Sequence, residues 1–330
     1  MRVKFQAIHK LAVYGLLAAS LLVSRQISAQ YLTLEGQTGG FLTPTAYVVY
    51  MDKGEKFSHP AVGFHFIDAN TVIGNIQTFS ITEAFYRRAE AGYTRSVHEL
   101  GSETTGLNLS SLWDYDGMNV FHGKVVAIND GQFGPWMPGV AVGGVVRTGD
   151  HFVSGAANKT LTGTDKSYTN GDVYVAVTKT WAKKPVPFLA NIGWKATNAT
   201  IFGIGGQSSR FGGRFFGGIG FPLPIGKGVV AVPSVGFTQE PGTSKGLGVA
   251  SYTSLPLVAG KADLPTTLDY AVRITQRERP HFSFDVGIGQ VASNIGSAPT
   301  FTFPNPSPTG VAPIDLQAKK VLGMGLSYRY

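Results

Sequence analysis

The stretch Lys319-Lys320-Val321-Leu322-Gly323-Met324-Gly325-Leu326-Ser327-Tyr328-Arg329-Tyr330 decides the fold. Leu322, Met324, Leu326, Tyr328 and Tyr330 share one parity, and Gly323, Gly325, Ser327 and Arg329 share the other. Side chains alternate faces along a strand, so this segment predicts a strand with one apolar and one small or polar face. His281–Val291 repeats the pattern, setting Phe282, Phe284, Val286 and Ile288 against His281, Ser283, Asp285, Gly287 and Gly289. In Thr267–Gln276, Leu268, Tyr270, Val272 and Ile274 oppose Asp269, Ala271, Arg273 and Thr275. A soluble sandwich of strands about 5–6 residues long fits these segments less well than a transmembrane barrel. In such a barrel, strands of about ten residues turn an apolar face to lipid and a polar face to the lumen.

Working back from the C-terminus, further strands are predicted at 61–68, 72–82, 85–97, 118–129, 139–148, 172–182, 187–198, 213–223 and 228–238, making twelve with a range of 10–14. Arg87 and Arg95 fall on the apolar parity of 85–97, which marks it as the least regular of them. From the third strand on, the connections alternate between long (98–117, 149–171, 199–212, 239–266, 292–318) and short. The short ones are Pro-, Gly- and Lys-rich (AKKPVP, PIGKG, RERP), as turns should be. This alternation puts the long loops on one side and both termini on the other, the arrangement of barrels with short periplasmic turns and long extracellular loops. Trp181 and Trp194 are expected near strand ends, in an interfacial aromatic girdle.

Arg2, Lys4 and Lys10 precede the apolar run Leu11–Val23, which is too short to span a bilayer as a helix. Followed by SRQISAQ, it reads as a secretory signal peptide over residues 1–29. Residues 30–60 are then a periplasmic segment or lumen plug, and 61–330 the barrel. The leader takes four of the 28 basic residues, leaving 24 against 20 acids. With no Lys/Arg cluster, this near balance argues against nucleic-acid binding. Cysteine is absent, which removes disulfides, thiolate metal sites and thiol catalysis.

The ending Gly325-Leu326-Ser327-Tyr328-Arg329-Tyr330 resembles the C-terminal signal read by the outer-membrane barrel-assembly machinery, with Gly325, Tyr328 and Tyr330 as its key positions. Gly36-Gln37-Thr38-Gly39-Gly40-Phe41-Leu42-Thr43-Pro44-Thr45-Ala46 is similar to the Gly-rich Thr-Pro-Ser/Thr-Ala opening of a family of Gram-negative outer-membrane barrels, some associated with exopolysaccharide export. These resemblances imply an outer-membrane protein in contact with lipid and assembled by that machinery.

Catalytic patterns are weak. Gly242-Thr243-Ser244-Lys245-Gly246 matches Gly-x-Ser-x-Gly but follows Pro241 inside a long loop, whereas a nucleophile elbow needs a strand before it and a helix after it. His281, Ser283 and Asp285 share a face, yet alternate residues lie about 7 Å apart, beyond a proton relay. The mature histidines His59, His65, His98, His122 and His151 have no metal-ligand spacing, and no cofactor is expected. The charges on the inner parity, Arg88, Glu90, Asp172, Lys195, Asp269, Arg273 and Asp285, are the candidate lumen lining. The expected activity is a narrow, porin-like passive channel for small solutes. The alternatives are an accessory in surface-polysaccharide export and a membrane-embedded lipid hydrolase. N-terminal sequencing of membrane-extracted protein should start at Gln30; an intact Met1 would refute cleavage.

Overall fold

The computed structural model describes residues 32–68, 74–99, 117–149, 169–182, 187–199, 207–240, 242–244, 262–264, 266–276, 281–290, 294–301, 308–315 and 320–330. The expected leader lies outside the described residues. Seventeen strands follow one another among those that are described. They are β1 (Ala61–Asp68), β2 (Asn75–Phe85), β3 (Ala89–Glu99), β4 (Met118–Ile128), β5 (Gly139–Gly149), β6 (Thr169–Trp181), β7 (Phe188–Ala199), β8 (Gln207–Gly220) and β9 (Leu223–Gly226). The rest are β10 (Val229–Thr238), β11 (Gly242–Ser244), β12 (Ala262–Leu264), β13 (Thr267–Gln276), β14 (Phe282–Gln290), β15 (Asn294–Phe301), β16 (Pro308–Asp315) and β17 (Lys320–Arg329).

Twelve of these, β1–β8, β10, β13, β14 and β17, form a closed antiparallel barrel. Each pairs with its neighbours, and β17 returns to β1 from Ala61↔Arg329 through Asp68↔Leu322. Ten or so residues, each rising about 3.3 Å along a strand tilted by roughly 40°, cover about the 25 Å height of a lipid-facing band. The barrel's first and last residues share one rim with the short turns, here the turn rim; the opposite edge is the loop rim.

Parity separates inside from outside. On β17, Leu322, Met324, Leu326 and Tyr328 face out while Gly323, Gly325, Ser327 and Arg329 are buried. Phe64 and Phe79 pack on the outside of β1 and β2 with centroids 5.0 Å apart, and Tyr93 meets Phe121 at 5.2 Å. A continuous outer surface of Phe, Val, Ile and Leu on a sheet with no open edge is what a hydrocarbon environment requires.

Three local expectations are corrected. The turn between the second and third strands occupies Tyr86–Arg88, so the predicted strands 72–82 and 85–97 become Asn75–Phe85 and Ala89–Glu99. Tyr86 and Arg87 both adopt left-handed backbone, with φ of 51° and 56°, in a turn containing neither Gly nor Asn, so the usual marker was missing. Trp181 ends β6 and stacks on Phe188, but Trp194 faces outward in the middle of β7. The expected loops 239–266 and 292–318 contain the two-stranded ribbons β11–β12 and β15–β16.

Ile192, outward and 56% exposed at mid-strand, tests the belt. Ile192→Arg should destabilise the folded barrel by about 2–4 kcal/mol, measured by urea unfolding in lipid vesicles, whereas Ile192→Val should leave it nearly unchanged.

Candidate functional site

The lumen is occupied by the chain's own N-terminal segment. Residues 32–51 are almost all buried and make two tight reversals, one bridging Leu32 to Thr38 and one bridging Gly39 to Pro44. Gly36, at φ +82°, lets the first reversal close, with its N–H donating to Thr33 O at 2.8 Å. Such a segment has few partners of its own, so the inner wall must satisfy its polar backbone.

Glu90 on β3 is the centre of one anchor. Its carboxylate accepts from Thr38 N at 3.0 Å, Thr38 Oγ1 at 2.5 Å and Val49 N at 3.3 Å. Lys124 on β4 pairs with the same carboxylate at 2.9 Å and donates to the carbonyls of Thr38 and Thr45, both at 3.0 Å. Both side chains are fully buried.

The second anchor lies nearer the loop rim. Arg147 on β5 grips Glu35 through Nε and Nη2, and its Nη2 also reaches Asp172 Oδ2 on β6 at 2.7 Å. Thr197 on β7 donates to Asp172 as well. On the far side of the lumen, Arg273 of β13 chelates its cross-strand neighbour Asp285 and donates to Gly39 O at 3.0 Å. At the turn rim, Tyr47 donates to Asp130 at 2.9 Å, and Lys179 pairs with the same carboxylate. Burial, followed by the Asp130 charge, pushes the Tyr47 phenol well above its ordinary range.

The seven sequence-nominated charges occupy different environments. Glu90, Asp172, Arg273 and Asp285 are buried on the inner wall within the ion pairs above. Asp269 is buried on β13 opposite Gly236, and Lys195 is half-buried on β7 across from Tyr174 and Arg214. Arg88 stands apart: it lies in the turn before β3 and donates to Val126 O, Ala127 O and Gln132 at the rim. Lys124 and Arg147, which hold the plug most directly, were not nominated. Their parity in 118–129 and 139–148 marks them as inward, opposite Phe121, Val125, Val142 and Val146, and that signal would have found them.

The His281, Ser283 and Asp285 stripe makes no relay. His281 Nδ1 lies 3.2 Å from Arg329 O at the turn rim, and Asp285 is engaged by Arg273. His122 Nε2 lies 3.2 Å from Thr82 Oγ1, but that hydroxyl donates to Gly36 O of the plug at 2.6 Å. Gly242–Ser244 forms ribbon strand β11, while Lys245 and Gly246 of the same motif lie outside the described residues. Among the described residues, no cluster of three or more metal-ligating side chains is present.

No protein-family model matches the chain, and no curated protein does. Among solved structures, KdgM porin is 7% identical with a TM-score of 0.43, covering 82% of this chain and 99% of its own. LpxR from Salmonella typhimurium is 8% identical with a TM-score of 0.42, covering 82% and 100%. An outer membrane channel from Pseudomonas putida F1 is 8% identical with a TM-score of 0.38, covering 85% and 100%.

Removing one partner of a buried ion pair leaves the other uncompensated, typically at a cost of about 3–5 kcal/mol. Lys124→Met should therefore lower stability by about that much. The double variant Glu90→Gln/Lys124→Met should cost clearly less than the sum of the single losses in a double-mutant cycle.

Proposed function

We propose that this protein is a narrow, passive outer-membrane conduit for small solutes whose lumen is lined in part by its own N-terminal segment. The observation that carries the reading is the polar inner wall within an apolar exterior. Thr78, Ser96, Ser283 and Ser327 point inward from β2, β3, β14 and β17, with side-chain oxygens that have no hydrogen-bond partner among the described residues. Buried polar groups are normally paired with protein or ordered water, so a wall rich in unpaired hydroxyls suits a lumen that exchanges with water. The charged groups support weak ion selectivity, because Glu35, Glu90, Asp172 and Asp285 each lie against a cation.

Location in the outer membrane is supported by the lipid-facing belt, the predicted leader and the aromatic C-terminus. Tyr330 is 68% exposed beside Tyr328 at the turn rim, where an amphipathic ring suits a membrane interface and where an assembly factor has access to it. A role in polysaccharide export has less support, since Gly36–Ala46 is buried against the inner wall rather than presented to a partner. The hydrolase reading lacks a nucleophile–base contact in the stripe that suggested it.

Liposome swelling tests the conduit. Folded barrel, recognised by a gel mobility that changes on boiling, should admit glycerol-sized solutes and discriminate little between small cations and anions. Complete impermeability of well-folded protein to every small solute would overturn the reading.

A further inference from the structure

The plug is bonded unevenly to the wall around it. Toward β2–β7 it is pinned by the Thr82, Thr94, Glu90, Lys124, Arg147 and Thr178 side chains. Toward β14, β17 and β1 it presents Leu32 and Phe41, both buried, and its polar bonds on that half are Arg273 to Gly39 O and, at the turn rim, Arg329 to Tyr50 O. The wall they cover is unlike the rest of the barrel. Stepping from the turn rim toward the loop rim, β17 offers Ser327, Gly325 and Gly323, while β14 beside it offers Ser283, Asp285 and Gly287.

Ser283 and Ser327 sit directly across from one another, and both hydroxyls are buried without a partner among the described residues. Leu32 lies over this pair's neighbour Gly63: a Cβ there would be 3.1 Å from Leu32 Cδ1 and 3.5 Å from Ser327 Oγ. Farther in, Phe41 is seated in a hollow that only glycine leaves open. A Cβ at Gly323 would overlap the Phe41 ring, and one at Gly287 would come within 3.4 Å of it. His65 meets the same ring edge-on at a centroid distance of 6.3 Å. Asp285 is the carboxylate along this line, and Arg273 pairs it.

The seam thus combines hydroxyls and small residues with a neutralised charge, and two apolar side chains stop it. An apolar side chain next to unpaired buried hydroxyls, as Leu32 is next to Gly63 and Ser327, is a poor match, because those hydroxyls lose water and gain no bond. We infer that the seam between β14, β17 and β1 is the permeation path for small, uncharged, hydroxyl-bearing solutes, with Leu32 and Phe41 as its stops. The remainder of the plug stays fixed to the opposite wall during passage. This assignment rests on the conduit reading above and adds the route and the solute class.

The lack of native cysteine makes the test direct. Full-length mature protein is reconstituted in liposomes and glycerol entry is followed by stopped-flow swelling. Phe41→Ala should raise glycerol flux several-fold over the parent, with Phe41→Leu intermediate, each checked for folded-barrel mobility. In the Phe41→Ala background, labelling Ser327→Cys with a small thiol reagent should abolish the gain, and the same treatment of Ser96→Cys on the opposite wall should not. A disulfide between Ala46→Cys and Gly139→Cys, whose Cβ positions are 3.5 Å apart, should pin the plug and leave the flux intact. Loss of flux when that disulfide closes, or block at Ser96→Cys instead of Ser327→Cys, would overturn the seam while keeping the conduit. Absence of glycerol entry in both parent and Phe41→Ala, with barrels folded and other small solutes passing, would overturn the solute class; impermeability to all would overturn both readings.

Discussion

The ladder between β17 and β1 is the constraint on which the rest of the molecule depends. Inside a bilayer no water is present to satisfy an unpaired strand edge, so a sheet that crosses must close on itself. Eight consecutive residue pairs, from Ala61↔Arg329 to Asp68↔Leu322, make that closure. They also fix parity around the ring, since a slip of one residue would turn Leu322, Met324 and Leu326 inward and Arg329 toward lipid. The assignment of every inward side chain follows from this register.

Closure creates an inside that must then be filled or hydrated. Barrels of about eight strands fill with their own side chains, while those of 16–18 leave an aqueous channel. This twelve-stranded wall carries many small inward residues, and the space they leave takes a segment of main chain. An irregular segment brings unpaired carbonyls and amides with it, and the wall answers with long charged side chains. Lys124 is an example: its ammonium is neutralised by Glu90 and capped by two plug carbonyls. Arg147 divides its guanidinium between a plug carboxylate and a wall carboxylate in the same way. Each charge is tolerable in a buried site because it is both paired and hydrogen-bonded.

The barrel was legible wherever alternation ran unbroken, as in β13, β14 and β17, because a period of two is a local property. It was misread at Tyr86–Arg88, where left-handed backbone is carried by residues that do not advertise a turn, and so Arg88 was assigned to a strand it precedes. The pairing of Arg273 with Asp285 belongs to one hairpin, and cross-strand distance alone brings them together. Glu35 and Arg147 are different. They are 112 residues apart, and their contact depends on how far the N-terminal segment climbs inside the finished barrel. No pattern within either stretch encodes that depth. The Gly-rich run at 36–40 announced a turning backbone but not the wall that it turns against.

The composition of that wall bears on the conduit proposed above. Where β2–β7 hold the plug, the residues that bond it are Thr82, Thr94, Glu90, Lys124, Arg147 and Thr178, side chains long or polar enough to reach it. Where β14 and β17 face Phe41 and Leu32, the inward residues beside them are Gly287, Gly323, Gly325, Ser283 and Ser327, with Asp285 among them held by Arg273. A plug meant as permanent filler would gain most from apolar wall residues packed against its apolar ones, since mutual burial of apolar surface is the dominant source of cohesion. Here that side pairs apolar plug residues with hydroxyls and glycines, which cohere weakly. Most of the polar contacts lie toward β2–β7, and the other half adds Arg273 to Gly39 O and Arg329 to Tyr50 O, so on the route proposed above the inner segment stays anchored while only the Leu32 and Phe41 side chains yield.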